Sequence, residues 1–112
     1  MIIFIDIDNT IFDTPICPNS NSPIYEESKP IRERIANANK LYDQGHTIIY
    51  WTARGTLSKN IPRQLTLDHL NKWGVKYHEV LFGKPYYDLF IDDKNQNASI
   101  LDEDLSHSEI CS

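Results

Sequence analysis

The sequence predicts an α/β domain on a central parallel sheet, and three observations point there. Four short apolar runs recur along the chain, at residues 2–7, 47–51, about 78–81 and 88–91. Helical periodicity fills the two long gaps between the first three runs, the strand-helix-strand-helix order of a parallel sheet. Polar residues stand at or just past the C-terminal end of each run: Asp6 and Asp8, Thr52, Lys84, and Asp92 with Asp93. Ligands collect at that edge of a parallel sheet, and chance placement of all four sets there is much less credible than chance occurrence of one.

The chain has 112 residues, 40% of them hydrophobic, which suits one domain spanning residues 1–112 rather than two. Its first run is apolar on both faces, as expected of a central strand covered by helices on either side. Residues i and i+2 of a strand point the same way, so Asp6 and Asp8 are expected to face one site. Two carboxylates held that close at a buried strand end repel each other and lose hydration, a cost that a cation or a shared proton between them relieves, and a divalent metal is the expected remedy.

Residues 14–30 hold four of the six prolines and the polar run Asn19-Ser20-Asn21-Ser22. That composition predicts a long loop or flap directly after the paired acids. A helix is expected next, with Ser28 as its cap, Pro30 in its first turn, Ile31, Ile35, Ala38 and Leu41 as its apolar stripe and Gly45 as its stop. After the second strand, polar residues 56–63 lead into a helix carrying Leu65, Leu67, Leu70 and Trp73, closed by Gly74. A third strand precedes Gly83-Lys84-Pro85, and Asp88 to Ile91 is expected as the fourth. From Asn95 the chain can begin a helix but decays, from about residue 104, into a polar acidic tail.

Sixteen acidic and eleven basic residues give a net charge of −5, with no basic run suited to nucleic acid. Cys17 and Cys111 lie far apart without C-x-x-C spacing and read as unpaired thiols of a reducing compartment. No apolar run reaches membrane-span length, and Asp6 interrupts the apolar start too early for a signal peptide, so a cytoplasmic location is expected and no membrane partner.

Gathered on one edge, four carboxylates, a hydroxyl and an ammonium suit phosphoryl transfer. Hard oxygen donors favour Mg²⁺. One carboxylate can attack phosphorus, a second can protonate the leaving oxygen and then activate water, and Lys with a hydroxyl can hold the phosphoryl oxygens. Taken alone, each motif has a plainer reading: a strand-end hydroxyl at Thr52, a solvated turn at Lys84 and at Asp92-Asp93. Arg54 divides between phosphate recognition and a surface ion pair. His46, His69, His78 and His107 lack metal-ligand spacing, and Trp51 and Trp73 are expected in the core.

In these segments the sequence resembles the haloacid dehalogenase-like phosphohydrolase superfamily. Asp6-Ile7-Asp8-Asn9-Thr10 matches its D-x-D-x-T motif, Thr52 its second, Lys84 its third and Asp92-Asp93 its acidic fourth, over residues 2–94. The resemblance implies a three-layer Rossmann-like fold and a Mg²⁺-dependent phosphatase. In it Asp6 is nucleophile and metal ligand, and Asp8 is acid/base with its main-chain carbonyl on the metal. Thr52 and Lys84 hold phosphate, Thr10 and Arg54 contact substrate, and Asp92 and Asp93 form the acidic end of the metal site. Only 31 residues separate Thr52 from Lys84, so there is no separate cap domain. Selectivity then falls to the 14–30 flap, to Arg54 or to a second subunit of a homo-oligomer. Gly45 to Ile48, Thr52 to Gly55, Lys72-Trp73 and the segments from Phe82 to Pro85 and Ile91 to Lys94 look like small phosphatases of capsule and surface-polysaccharide synthesis, which implies a small sugar phosphate as substrate. A 5′-nucleotidase and a non-catalytic phosphate-binding or regulatory domain are the competing expectations. The intact set of acids speaks against the second.

Overall fold

Alternation along the strands decides which residues meet the helices. The computed structural model describes residues 1–54, 63–85 and 87–105. Strand β1 (Ile2–Ile5) is followed by two two-residue strands, β2 (Phe12–Asp13) and β3 (Lys29–Pro30). Helix α1 (Arg32–Asp43), strand β4 (Thr47–Thr52), helix α2 (Arg63–Lys72) and strand β5 (Glu79–Phe82) complete the α/β unit. The main sheet is parallel, in the order β1-β4-β5, with Ile5 beside Tyr50 and Thr52 beside Phe82. On one face Ile3, Ile5, Ile48, Tyr50 and Val80 join a single core with Ile35, Ala38 and Leu41 of α1 and Leu70 of α2.

On the opposite face Ile2, Phe4 and Leu81 are exposed, and Phe4 meets Trp51 edge-on at 6.0 Å. The expected third layer is therefore not seen among the described residues, and Trp51 is half-buried on an open face rather than in the core. The expected fourth strand is absent too: Asp88 to Ile91 forms no strand, with Leu89 75% and Ile91 87% exposed. A four-residue run acquires strand structure from a hydrogen-bonding neighbour and a covered face, and this one has neither.

Helix α1 starts later than expected. Its N-cap is Ile31, which offers no side-chain hydrogen bond, while Pro30 lies in β3 opposite Phe12 and Ser28 is committed to the site described below. Its end is as expected. Gly45 takes φ +97°, a left-handed conformation that glycine adopts without steric cost. The Gly45 and His46 N–H groups then close on the carbonyls of Tyr42 and Leu41.

The 14–30 flap is more ordered than its composition suggests. Cys17 N–H bonds the Ser22 carbonyl at 2.8 Å around Asn21 at φ 53°, and Ile16 bridges Pro23. A 3-10 turn at Tyr25–Glu27 follows. The expected tail also packs further than predicted. A 3-10 helix at Ala98–Asp102 lies on α1, where Asn37 donates to the Leu101 carbonyl at 2.9 Å. Leu101 and Leu105 enter the core. The acidic character expected of this region is used locally, since Asp102 pairs with Arg34 and Asp104 with Lys40. Residues 106–112, with Cys111, and the linker from Gly55 to Pro62 lie outside the described residues. Among the described residues no helix is long and apolar enough to cross a membrane.

Candidate active site

Strand β1 ends because its continuation is drawn into a turn around one carbonyl. The Ile7 oxygen accepts from the N–H groups of Thr10, Ile11 and Phe12 at 2.9–3.1 Å. Asn9 sits at φ 62°, a conformation Asn tolerates better than most non-glycine residues. Ile7, Ile11 and Phe12 are fully buried and anchor the turn from below. Arg34 secures it from outside, donating to the Thr10 carbonyl at 3.3 Å while paired with Asp102. The turn thus presents Asp6 and Asp8 from a rigid base.

The two acids have different partners. Asp6 lines a cleft of about 280 Å³ with Asn9, Ala53, Lys84, Pro85 and Tyr87, and the Lys84 ammonium stands 3.6 Å from its Oδ1. Burial pushes the Asp6 pKa above 3.8; Lys84 and the Ile7 N–H oppose that shift, and the charge of Asp8 adds to it. Asp8 instead turns to Arg54. Its Oδ1 accepts from Arg54 Nη2 at 2.7 Å and from Thr14 Oγ1 at 2.6 Å, and its Oδ2 from Arg54 Nε at 3.0 Å.

Arg54 is the largest fully buried side chain described. Beyond Asp8 it donates to Ser28 Oγ at 3.2 Å and Thr66 Oγ1 at 3.0 Å, with Tyr25 stacked at 4.7 Å and Phe12 at 5.6 Å. A buried guanidinium is tolerated when its donors are satisfied and its charge is paired. The expectation that Arg54 contacts substrate is therefore corrected: in this arrangement its side chain has no exposed surface with which to do so. Ser28 and Thr66, which accept from it, and Thr14, which bonds Asp8 and Ser28, were not picked out as site residues in the sequence, where Ser28 was expected to cap the first helix. Being hydroxyls in a flap and on a helix, they carried no signal of the contact.

Thr52 and Lys84 come together as expected, because β4 and β5 end side by side and Lys84 N–H bonds the Thr52 carbonyl at 3.0 Å. Thr52 is fully buried, and its hydroxyl accepts from Arg54 N–H at 3.0 Å while keeping its own proton to donate. The Lys84 ammonium is framed by Trp51 at 5.8 Å and Tyr87 at 5.2 Å. Tyr87 is a further lining residue that sequence reasoning passed over. A larger cavity of about 640 Å³ lies against the flap, lined by Asp13, Pro15, Glu26, Glu27, Ser28 and Lys29. It is acidic, it includes neither Asp6 nor Lys84, and it is unsuited to a phosphate.

The acidic end of the expected metal site is not brought to Asp6. Asp92 and Asp93 are exposed beyond the unpaired run 88–91, and among the described residues no three His, Cys, Asp or Glu side chains gather as metal ligands. Asp6 fits a cation, being a carboxylate that burial disfavours in its charged form. The carboxylate of Asp8 does not, since Arg54 occupies it. The donor set for Mg²⁺ is thus incomplete in this arrangement.

No family model matches the chain, and no curated protein does. Among solved structures, the crystal structure of a structural-genomics target from Vibrio cholerae is similar, with a TM-score of 0.72 and 23% identity over 89% of this chain and 85% of that one. The likeness establishes the α/β fold.

Proposed function

We propose that this chain is a phosphoric monoester hydrolase of the haloacid dehalogenase-like type, acting in the cytoplasm on a small sugar phosphate. The observation that carries the reading is the meeting of Asp6 and Lys84 in one cleft, past the ends of β1 and β5 on either side of β4, whose last residue is Thr52. A carboxylate and an ammonium facing the same open volume supply a nucleophile and a holder for the phosphoryl oxygens.

In the reaction, an Asp6 carboxylate oxygen attacks phosphorus and the ester oxygen leaves, giving an aspartyl-phosphate. The leaving oxygen takes a proton from Asp8, which then removes one from the water that hydrolyses the acyl phosphate. Lys84 and the Thr52 hydroxyl stabilise charge on the phosphoryl oxygens.

Mg²⁺ belongs to this reading, held by Asp6, the Asp8 main-chain carbonyl and Asp92 or Asp93. It would neutralise charge on the transferred group. The reading includes a three-layer Rossmann-like arrangement in which residues 88–91 add to the outer edge of β1, carrying the two acids to Asp6. The exposure of Leu89 and Ile91 supports that step, since an apolar run held in water gains by covering itself.

A panel of sugar phosphates and nucleotides, assayed for phosphate release with Mg²⁺, tests the reading. Turnover is expected with a sugar phosphate, with label trapped on Asp6 after a rapid acid quench. Asp6→Asn should release no phosphate while keeping a native circular dichroism spectrum. A folded wild-type protein that releases none from any member of the panel would end the proposal.

A further inference from the structure

The largest fully buried side chain among the described residues is a cation, and its partners come from three separate elements. Arg54 reaches Asp8 from the catalytic turn, Ser28 and Tyr25 from the flap, and Thr66 from α2. Thr14, at the root of the flap, bonds both Asp8 Oδ1 at 2.6 Å and Ser28 Oγ at 2.8 Å, so the same carboxylate and the same serine are joined twice. Asp8 Oδ1 is saturated by Arg54 and Thr14. Oδ2 takes its shortest bond from Nε and is the oxygen with capacity left.

We propose that Arg54 is a positioning residue that makes closure of the 24–30 flap and the aiming of Asp8 Oδ2 a single event. This rests on the proposed phosphatase reading for the role of Asp8, while the mechanical link between flap and acid stands apart from it. The guanidinium is planar and presents its donors in a fixed fork, so gripping Asp8 through Nε and Nη2 sets the carboxylate plane as well as its place. Opening the flap removes Ser28 and the Tyr25 ring from that fork, exposes the cation to water and frees the carboxylate to rotate. Arg54 then touches no reacting atom; it acts through Asp8.

The experiment uses Arg54→Gln and Arg54→Lys, each alone and combined with Asp8→Asn. Leaving groups that need a proton report on the acid, whereas p-nitrophenyl phosphate leaves without one. Arg54→Gln is expected to slow an alkyl phosphate about 100-fold, the scale of a lost general acid, and to slow p-nitrophenyl phosphate release in the first turnover less than about a tenth as much. Arg54→Lys keeps the charge without the fork, so it should recover only part of the loss. In the Asp8→Asn background, Arg54→Gln should add little. Equal losses for both leaving groups, or a full further loss on top of Asp8→Asn, would overturn the assignment and make Arg54 a substrate contact or a purely structural residue.

Should the wild-type protein turn out to cleave no phosphate ester, the phosphatase reading falls and hydrogen exchange decides the link by itself. Arg54→Gln is expected to speed exchange at residues 24–30 and 9–14 together, while β4 and α1 stay protected. Flap exchange unchanged by Arg54→Gln, or accelerated without any change in the 9–14 turn, would overturn the proposal.

Discussion

Ile2–Ile5 leads into Asp6 and Asp8, and Leu89 to Ile91 leads into Asp92 and Asp93; both are short apolar runs that deliver two acids. The first is paired along its length with β4, has Ile5 in the core and Ile3 packed against it, and feeds a turn on three fully buried side chains. The second has no strand partner, and Leu89 and Ile91 stand in water. Their intrinsic preferences are alike, so preference does not separate them. What separates them is a neighbour to accept the backbone hydrogen bonds and a helix layer to cover the side chains.

The largest expected contrast comes from removing one apolar side chain from each region. Phe12→Ala should cost about 3–5 kcal/mol, the scale for truncating a buried aromatic, and should loosen the turn beneath Asp8. Leu89→Ala should change stability by less than about 0.5 kcal/mol. Urea denaturation of both variants checks this, and a cost for Leu89→Ala approaching that of Phe12→Ala would erase the distinction between the regions.

A smaller effect is expected from the charge at Asp6. Its pKa is raised by folding, so folding favours the protonated form. The stability this group contributes is complete below its unfolded value near 3.8 and is lost as pH rises through the higher folded value. In chelator, Asp6→Asn should therefore melt above the wild type at pH 8, with the gap narrowing towards pH 4. A gap that widens on acidification would reverse the sign of the argument and mean that Lys84 outweighs burial.

The smallest effect, and the one that speaks most directly to the second region, is that of Ile91→Ser. In chelator its melting temperature should match the wild type. With millimolar Mg²⁺ the wild type should rise and the variant should rise less, because in the proposed closed form residue 91 leaves water. Identical responses to Mg²⁺ would leave residues 88–93 outside any metal-linked closure.

Much of the candidate site's edge was legible in the sequence. The D-x-D spacing after an apolar strand, Thr52 at the end of β4 and Lys84 after β5 each follow from strand ends, and strand ends can be read from local pattern. The role of Arg54 was not. Its hydroxyl partners Thr66 and Ser28 stand 12 and 26 positions away, as their numbers give. A hydroxyl in a flap reads the same whether it meets water or a buried cation.

The sequence by itself determined the order β1-α1-β4-α2-β5 of the main α/β unit, the stop at Gly45, and the gathering of Asp6, Thr52 and Lys84 at one edge. Those features depend on periodicity, backbone conformation and strand direction, which neighbouring residues set. Only the tertiary structure decided that Asp8 faces a buried guanidinium, that the helices cover one face of the sheet, and that residues 88–91 stay unpaired. Each of these turns on the free energy of bringing distant segments together, where burial and hydrogen bonding must outweigh the entropy of ordering the chain.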